Sequence, residues 1–171
     1  MDLRAYIRDI PDYPKEGIVF FDITPLLGDG PAFRHAIDKM AEQFEAQSPT
    51  KIVCAEARGF IFGSALAYTM GIGIVPVRKP GKLPYKTRSV TYDLEYGTDT
   101  LCIHEDALKK DDRVLVIDDL LATGGTLQGV LQLIDPFQSD IVGVGVLVEL
   151  GFLKGQGRLN GYACSSVLTI D

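Results

Sequence analysis

Residues 114–126 read VLVIDDLLATGGT. Four apolar, mostly β-branched residues run into two adjacent carboxylates, Asp118 and Asp119. Two leucines follow, then a loop of Ala122, Thr123, Gly124, Gly125 and Thr126 that opens a helical apolar pattern. The run predicts a buried strand ending at the acids, with successive side chains pointing to opposite faces and at least one acid over the end of the sheet. The loop presents backbone N–H groups free of bulky side chains at a helix N-terminus, where the helix dipole favours an anion. Acids suit a sugar diol and amides suit a phosphate, so the pair describes a site for a ribose 5-phosphate. A nucleoside-triphosphate P-loop needs GxxxxGK[ST], and no lysine follows Gly125. Read without its acids, TGGT is an ordinary strand-to-helix turn.

Working outward, strands and helices alternate. Phe33, Ile37, Met40, Ala41 and Phe44 recur at helical spacing over residues 31–47, with Pro31 suited to a first turn and Asp29 or Gly30 before it. KIVCA (51–55), GIVPVR (73–78) and DIVGVGVLVEL (140–150) are further apolar strand candidates, and FIFGSALAYTMG (60–71) a second helix. Strands apolar on both sides and separated by helices predict an α/β fold with a central, mostly parallel sheet flanked by helices. Ligands in such sheets sit at the C-terminal strand ends. Two loops stand there, EARG (56–59) and DDLLATGGT (118–126).

Composition limits the partners. The chain has 171 residues, 46% hydrophobic and 23% charged, which suits one core-forming domain over 1–171. A net charge of −6 and a pI near 4.9 argue against a broad nucleic-acid or membrane footprint, so any anion must be held locally. Cys54, Cys102 and Cys164 are far apart with no CxxC spacing, as expected of reduced thiols. With no apolar run of about 18 residues and no signal-like start, the expected location is the cytoplasm.

Five separated motifs, IPDYPKEGIVFFDITPLL, EARGFIFG, VPVRKPGKLP, TYDLEYGTD and VLVIDDLLATGGT, occur in an order that resembles the phosphoribosyltransferases, and within them the adenine-acting branch. The resemblance covers nearly the whole chain. It implies the type I fold of that family, with a small N-terminal base-binding hood over 1–30 and a flexible lid over 81–98. It also implies transfer of the 5-phosphoribosyl group from phosphoribosyl pyrophosphate to N9 of adenine, with Mg2+ and usually as a homodimer whose EARGF region lies near the interface.

Site residues follow from the same resemblance. Asp118, Asp119, Ala122, Thr123, Gly124, Gly125 and Thr126 would hold the phosphoribosyl group. Glu56, Ala57, Arg58, Gly59, Lys79 and Lys82 would hold pyrophosphate, the arginine through its planar donor fork. Glu95 in LEYG matches the carboxylate that manages the proton at the imidazole edge of the base. Adenine would lie on Phe20, with Leu120 on its other face and the backbone of Val19 and Phe21 at its edge. Mg2+ would have no dedicated cage, being carried on the substrate near Asp118 and Asp119.

One position departs from the family. Arginine is usual where this chain has Phe21; a backbone contact survives that change and a side-chain brace does not. Reversal, Phe21→Arg, is therefore expected to preserve adenine preference with efficiency equal or improved. His35 and His104 lack a carboxylate partner in sequence and read as surface residues, and no GxSxG or Cys-His pattern suggests a covalent nucleophile. Two alternatives stay open: another purine, such as hypoxanthine or guanine, and a non-catalytic sensor of phosphoribosyl pyrophosphate.

Overall fold

The computed structural model describes residues 1–94 and 97–171. Its centre is a five-stranded, all-parallel sheet in the order β4-β3-β7-β8-β9, formed by β3 (Lys51–Ala55), β4 (Gly73–Val77), β7 (Arg113–Leu121), β8 (Asp140–Leu150) and β9 (Cys164–Ile170). The expected strands are all present. β7, however, runs two residues beyond the acids, and β9 was not anticipated. CSSVLTI is half polar and lies at a sheet edge, so it lacks the continuous apolar run of an interior strand.

Each face of the sheet carries its own core. Leu115 and Ile117 pack toward α1 (Thr24–Gly28), α2 (Gly30–Phe44) and α3 (Gly59–Met70), with Met40, Phe62 and Leu66. Val114 and Val116 face the opposite cluster with α4 (Gly125–Ile134), including Val130 and Leu133. All of these side chains are buried. Fully burying one such side chain is worth roughly 1.5–3 kcal/mol, so the alternation along β7 secures both layers at once. Asp29 caps α2, its carboxylate accepting from the Ala32 N–H at 2.9 Å, while Pro31 occupies the first turn without a wasted donor. Gly63 brings α3 onto β3; a Cβ there would stand 2.6 Å from Cys54 Sγ.

Two hairpins flank the sheet. β1 (Arg8–Pro11) pairs antiparallel with β2 (Val19–Asp22). β5 (Thr87–Asp93) pairs with β6 (Thr98–His104), so much of the segment read as a lid is strand. Its exposed Ser89 and Thr91 alternate with Val90 and the buried Tyr92, a period-two pattern too polar to stand out. Tyr92 seats the hairpin on α4, where a Cβ on Gly129 would lie 2.9 Å from its ring. Both histidines are half-buried, His35 on α2 and His104 at the end of β6, where its ring meets Tyr85 edge-on at 6.0 Å.

Candidate active site

At the C-terminal end of the sheet lies a cleft of about 290 Å³, lined by Glu56, Ala57, Arg58, Leu94, both acids of β7 and residues 120–127. The two glycine-bearing loops singled out from sequence thus meet around one space. On β7 it is the odd-numbered Leu115 and Ile117 that face α2 and α3, yet beyond the acids Leu120 packs on that side and Leu121 on the other. The alternation slips by one across Asp118 and Asp119. Both carboxylates consequently line the cleft, where a regular strand would have divided them between faces.

The acids differ in surroundings. Asp118 accepts a hydrogen bond from the Asp119 N–H at 2.8 Å and is covered by Gly59, where an added Cβ would stand 2.8 Å from its Oδ1. Burial, and next the charge of Asp119, push its carboxyl well above the usual carboxylate range. Asp119 Oδ2 lies 2.9 Å from Arg58 Nε, but the approach is not that of a hydrogen bond, and among the described residues this buried oxygen has no hydrogen-bond partner. An orphaned buried acceptor is costly, so its demand points to a group arriving in the cleft.

The phosphate-type loop is shaped by backbone. Gly124 has φ +85°, in the left-handed region that a β-carbon resists, and begins α4 without a side-chain cap, so the first amides of the helix have no internal acceptor. A Cβ on Gly124 would stand 2.4 Å from the Gly155 carbonyl.

The other site residues fall around the cleft. Glu56 Oε1 accepts from the Lys79 N–H at 2.7 Å and from Arg78 Nε at 3.2 Å, tying residues 78–79 to the 56–59 loop. The Lys79 ammonium pairs with Asp99 of β6, and Lys82 is exposed; neither lines the cleft. Phe20 is half-buried, with the Arg58 guanidinium 5.6 Å above its ring and Tyr13 edge-on at 5.3 Å. The Phe20 ring therefore adjoins the cleft through Arg58, while Val19 is exposed beside it. Phe21 points the other way, into the α2–α3 core, under Arg4 at 5.8 Å. Glu95 lies outside the described residues.

Sequence reasoning missed Tyr13, Arg78, Asp99 and the segment Gly155–Arg158, which packs behind the glycine loop. The segment did leave a signal: GQGR is another glycine-rich, basic run just past a strand's C-terminal end. Burial raises the thiols of Cys54 and Cys164 to about 12, assisted by nearby carboxylates, and raises that of Cys102 as well. None is poised as a nucleophile.

Among the described residues no cluster of three or more His, Cys, Asp or Glu side chains forms a metal cage, and no helix is long and apolar enough to cross a membrane. The phosphoribosyl transferase domain model matches residues 26–171. The chain is 71% identical to an adenine phosphoribosyltransferase of Solidesulfovibrio magneticus over 99% of both chains, and 56% identical to that of Maridesulfovibrio salexigens over 99% of this chain and all of that one. The crystal structure of adenine phosphoribosyltransferase from Thermoanaerobacter pseudethanolicus superposes with a TM-score of 0.95 at 47% identity, covering 99% of this chain and 98% of the other. That of Saccharomyces cerevisiae, complexed with an imino-altritol bisphosphate and adenine, gives 0.91 at 35% identity over 98% and 97%. The fold, the cleft and these likenesses agree that the chain belongs to the phosphoribosyltransferase family, grouping within it with the adenine phosphoribosyltransferases.

Proposed function

We propose that this protein transfers the 5-phosphoribosyl group of phosphoribosyl pyrophosphate to N9 of adenine, releasing AMP and pyrophosphate. The observation that carries this reading is the meeting of the Asp118–Asp119 pair, the uncapped start of α4 and the Arg58 loop around one cleft. The likeness to adenine phosphoribosyltransferases supports adenine over other purines.

The amides of residues 123–126 bind the 5′-phosphate, with the α4 dipole behind them. Asp118 and Asp119 accept from the ribose hydroxyls, which satisfies the orphaned Oδ2 of Asp119. Arg58 and the backbone at Ala57 and Gly59 take the pyrophosphate, Lys79 and Lys82 lend further charge, and Glu56 holds Lys79 in register. The base lies between Phe20 and Leu120, its edge read by the backbone of Val19 and Phe21. Phe20 becomes available as Arg58 turns to the pyrophosphate. Displacement at C1′ then breaks the bond to the pyrophosphate oxygen and forms the bond to N9, while Glu95 handles the imidazole proton. The segment 81–98 acts as a lid that excludes water from the oxocarbenium-like centre, and 1–30 as the hood of a single domain.

The acid pair and its orphaned oxygen fit Mg2+ held through water and substrate oxygens, near Asp118 and Asp119. When bound, the ion offsets the charge developing on the departing pyrophosphate. The reading includes a homodimer with the 56–60 region near its interface, and a cytoplasmic setting suited to the three free thiols.

A crystal soaked with AMP tests the site directly. The phosphorus is expected against the amides of residues 123–126 with the ribose over the acid pair. AMP bound elsewhere with that loop empty would contradict the assignment.

A further inference from the structure

The glycine loop is held from behind by a segment outside the cleft lining. After β8 the chain passes through two 3-10 turns, Gly151–Leu153 and Gly155–Arg158. A Cβ on Gly155 would stand 2.2 Å from the Ala122 carbonyl oxygen, and one on Gly124 would stand 2.4 Å from the Gly155 carbonyl oxygen and 3.2 Å from Arg158 Cβ. The two backbones are in contact, and none of residues 155–158 lines the cleft. The position of the loop is therefore set by whatever fixes this segment.

Two anchors fix it. Leu159 is fully buried in the α4-side core at one end. At the other, Gln156 Nε2 donates at 2.9 Å to both carboxylate oxygens of Glu149, which is buried near the end of β8 and also accepts from Ser166 Oγ at 3.5 Å. A hydrogen bond to a charged acceptor is stronger than one between neutral groups, and a forked one also fixes direction. Gln156 is otherwise exposed and has no part in a core.

We infer that Glu149 and Gln156 are a positioning pair, which locks segment 155–158 against Ala122 and Gly124 and so presets the phosphate-binding amides of residues 123–126. The inference rests on the phosphoribosyl reading of that loop. Neither residue lines the cleft. A preset loop spends little free energy on ordering when the phosphate arrives, so loosening the pair weakens phosphate-bearing ligands selectively.

The test compares wild type, Gln156→Ala, Gln156→Glu, and the exchange Glu149→Gln with Gln156→Glu, which reverses donor and acceptor. Readouts are the Kd of ribose 5-phosphate by calorimetry, the KM values of phosphoribosyl pyrophosphate and adenine, and Tm. Gln156→Ala is expected to raise the ribose 5-phosphate Kd and the phosphoribosyl pyrophosphate KM about tenfold, with the adenine KM within twofold and Tm lowered by a few degrees, since Glu149 loses its donor. Gln156→Glu is expected to be worse, since it sets a second carboxylate against that of Glu149, and the exchange to recover affinity to within about threefold. An unchanged Kd in Gln156→Ala, or an exchange no better than Gln156→Glu, would overturn the positioning role. Failure of the wild-type protein to bind ribose 5-phosphate would instead overturn the reading of the loop, and the inference with it.

Discussion

Arg58 Nε lies 2.9 Å from Asp119 Oδ2, joining the two loops that meet at the sheet's C-terminal end. With the arginine side chain 42% exposed, the pair is worth little as a surface ion pair, and its interest lies in where it holds the guanidinium. Arg58 is assigned to the pyrophosphate, which AMP lacks. Arg58→Gln is therefore expected to raise the KM for phosphoribosyl pyrophosphate by on the order of 10²-fold while leaving the Kd of AMP within a few-fold. Equal losses for both ligands would remove Arg58 from the pyrophosphate end.

Asp118 is kept at a cost to stability. Its carboxyl is buried beside another acid, which raises its pKa in the folded protein above the ordinary carboxylate value near 4. A raised folded-state pKa contributes stability at low pH that is lost as pH climbs from that ordinary value through the folded one. Asp118→Asn should accordingly match wild type in Tm near pH 4 and exceed it at pH 7. The same variant should bind phosphoribosyl pyrophosphate poorly. Thermal melts across pH 4–8 check the first half; a variant less stable at pH 7 than wild type would contradict it.

Gly124 has neither the space nor the φ for a side chain. Gly124→Val should weaken phosphoribosyl pyrophosphate and AMP together, because both place a phosphate on this loop. Steady-state and binding measurements separate the outcomes, and a loss confined to adenine affinity would refute the assignment.

Phe21 carries a stability cost that the sequence did not reveal. Its ring is buried in the core beneath Arg4, so Phe21→Arg sets two guanidinium groups together and desolvates one. A loss of about 2–4 kcal/mol is expected, read as a lower denaturant midpoint. The preference for adenine should persist, since the backbone of β2 is unchanged. A switch between purines in this variant would show that the side chain selects the base.

All three cysteines are buried and their thiols raised. Native protein at pH 7.5 should resist iodoacetamide and keep its activity, with alkylation appearing only on unfolding. Rapid modification accompanied by inactivation would reopen the question of a thiol in the reaction.

What could be read in advance follows from how densely each element is coded. β3, β7 and β8 are apolar on both faces, so the parallel sheet and the loops at its ends were legible from KIVCA, VLVIDD and DIVGVGVLVEL alone. The pairing of Arg58 with Asp119 was not, because it depends on a contact 61 positions apart in the chain. The slip in alternation at Asp118 and Asp119 has no residue signature, since it arises where β7 has passed the end of its pairing with β3. Phe20 and Phe21 look alike in sequence. Strand alternation in β2 sends one ring toward the cleft and the other into the core.

The most direct measurement is pyrophosphate release by the wild-type protein with Mg2+, phosphoribosyl pyrophosphate and, in parallel, adenine, hypoxanthine, guanine or xanthine. The account predicts rapid release with adenine, stoichiometric with AMP, and kcat/KM values lower by at least about 10²-fold for the three oxo-purines. Comparable turnover with hypoxanthine or guanine, or no release with any base, would contradict it.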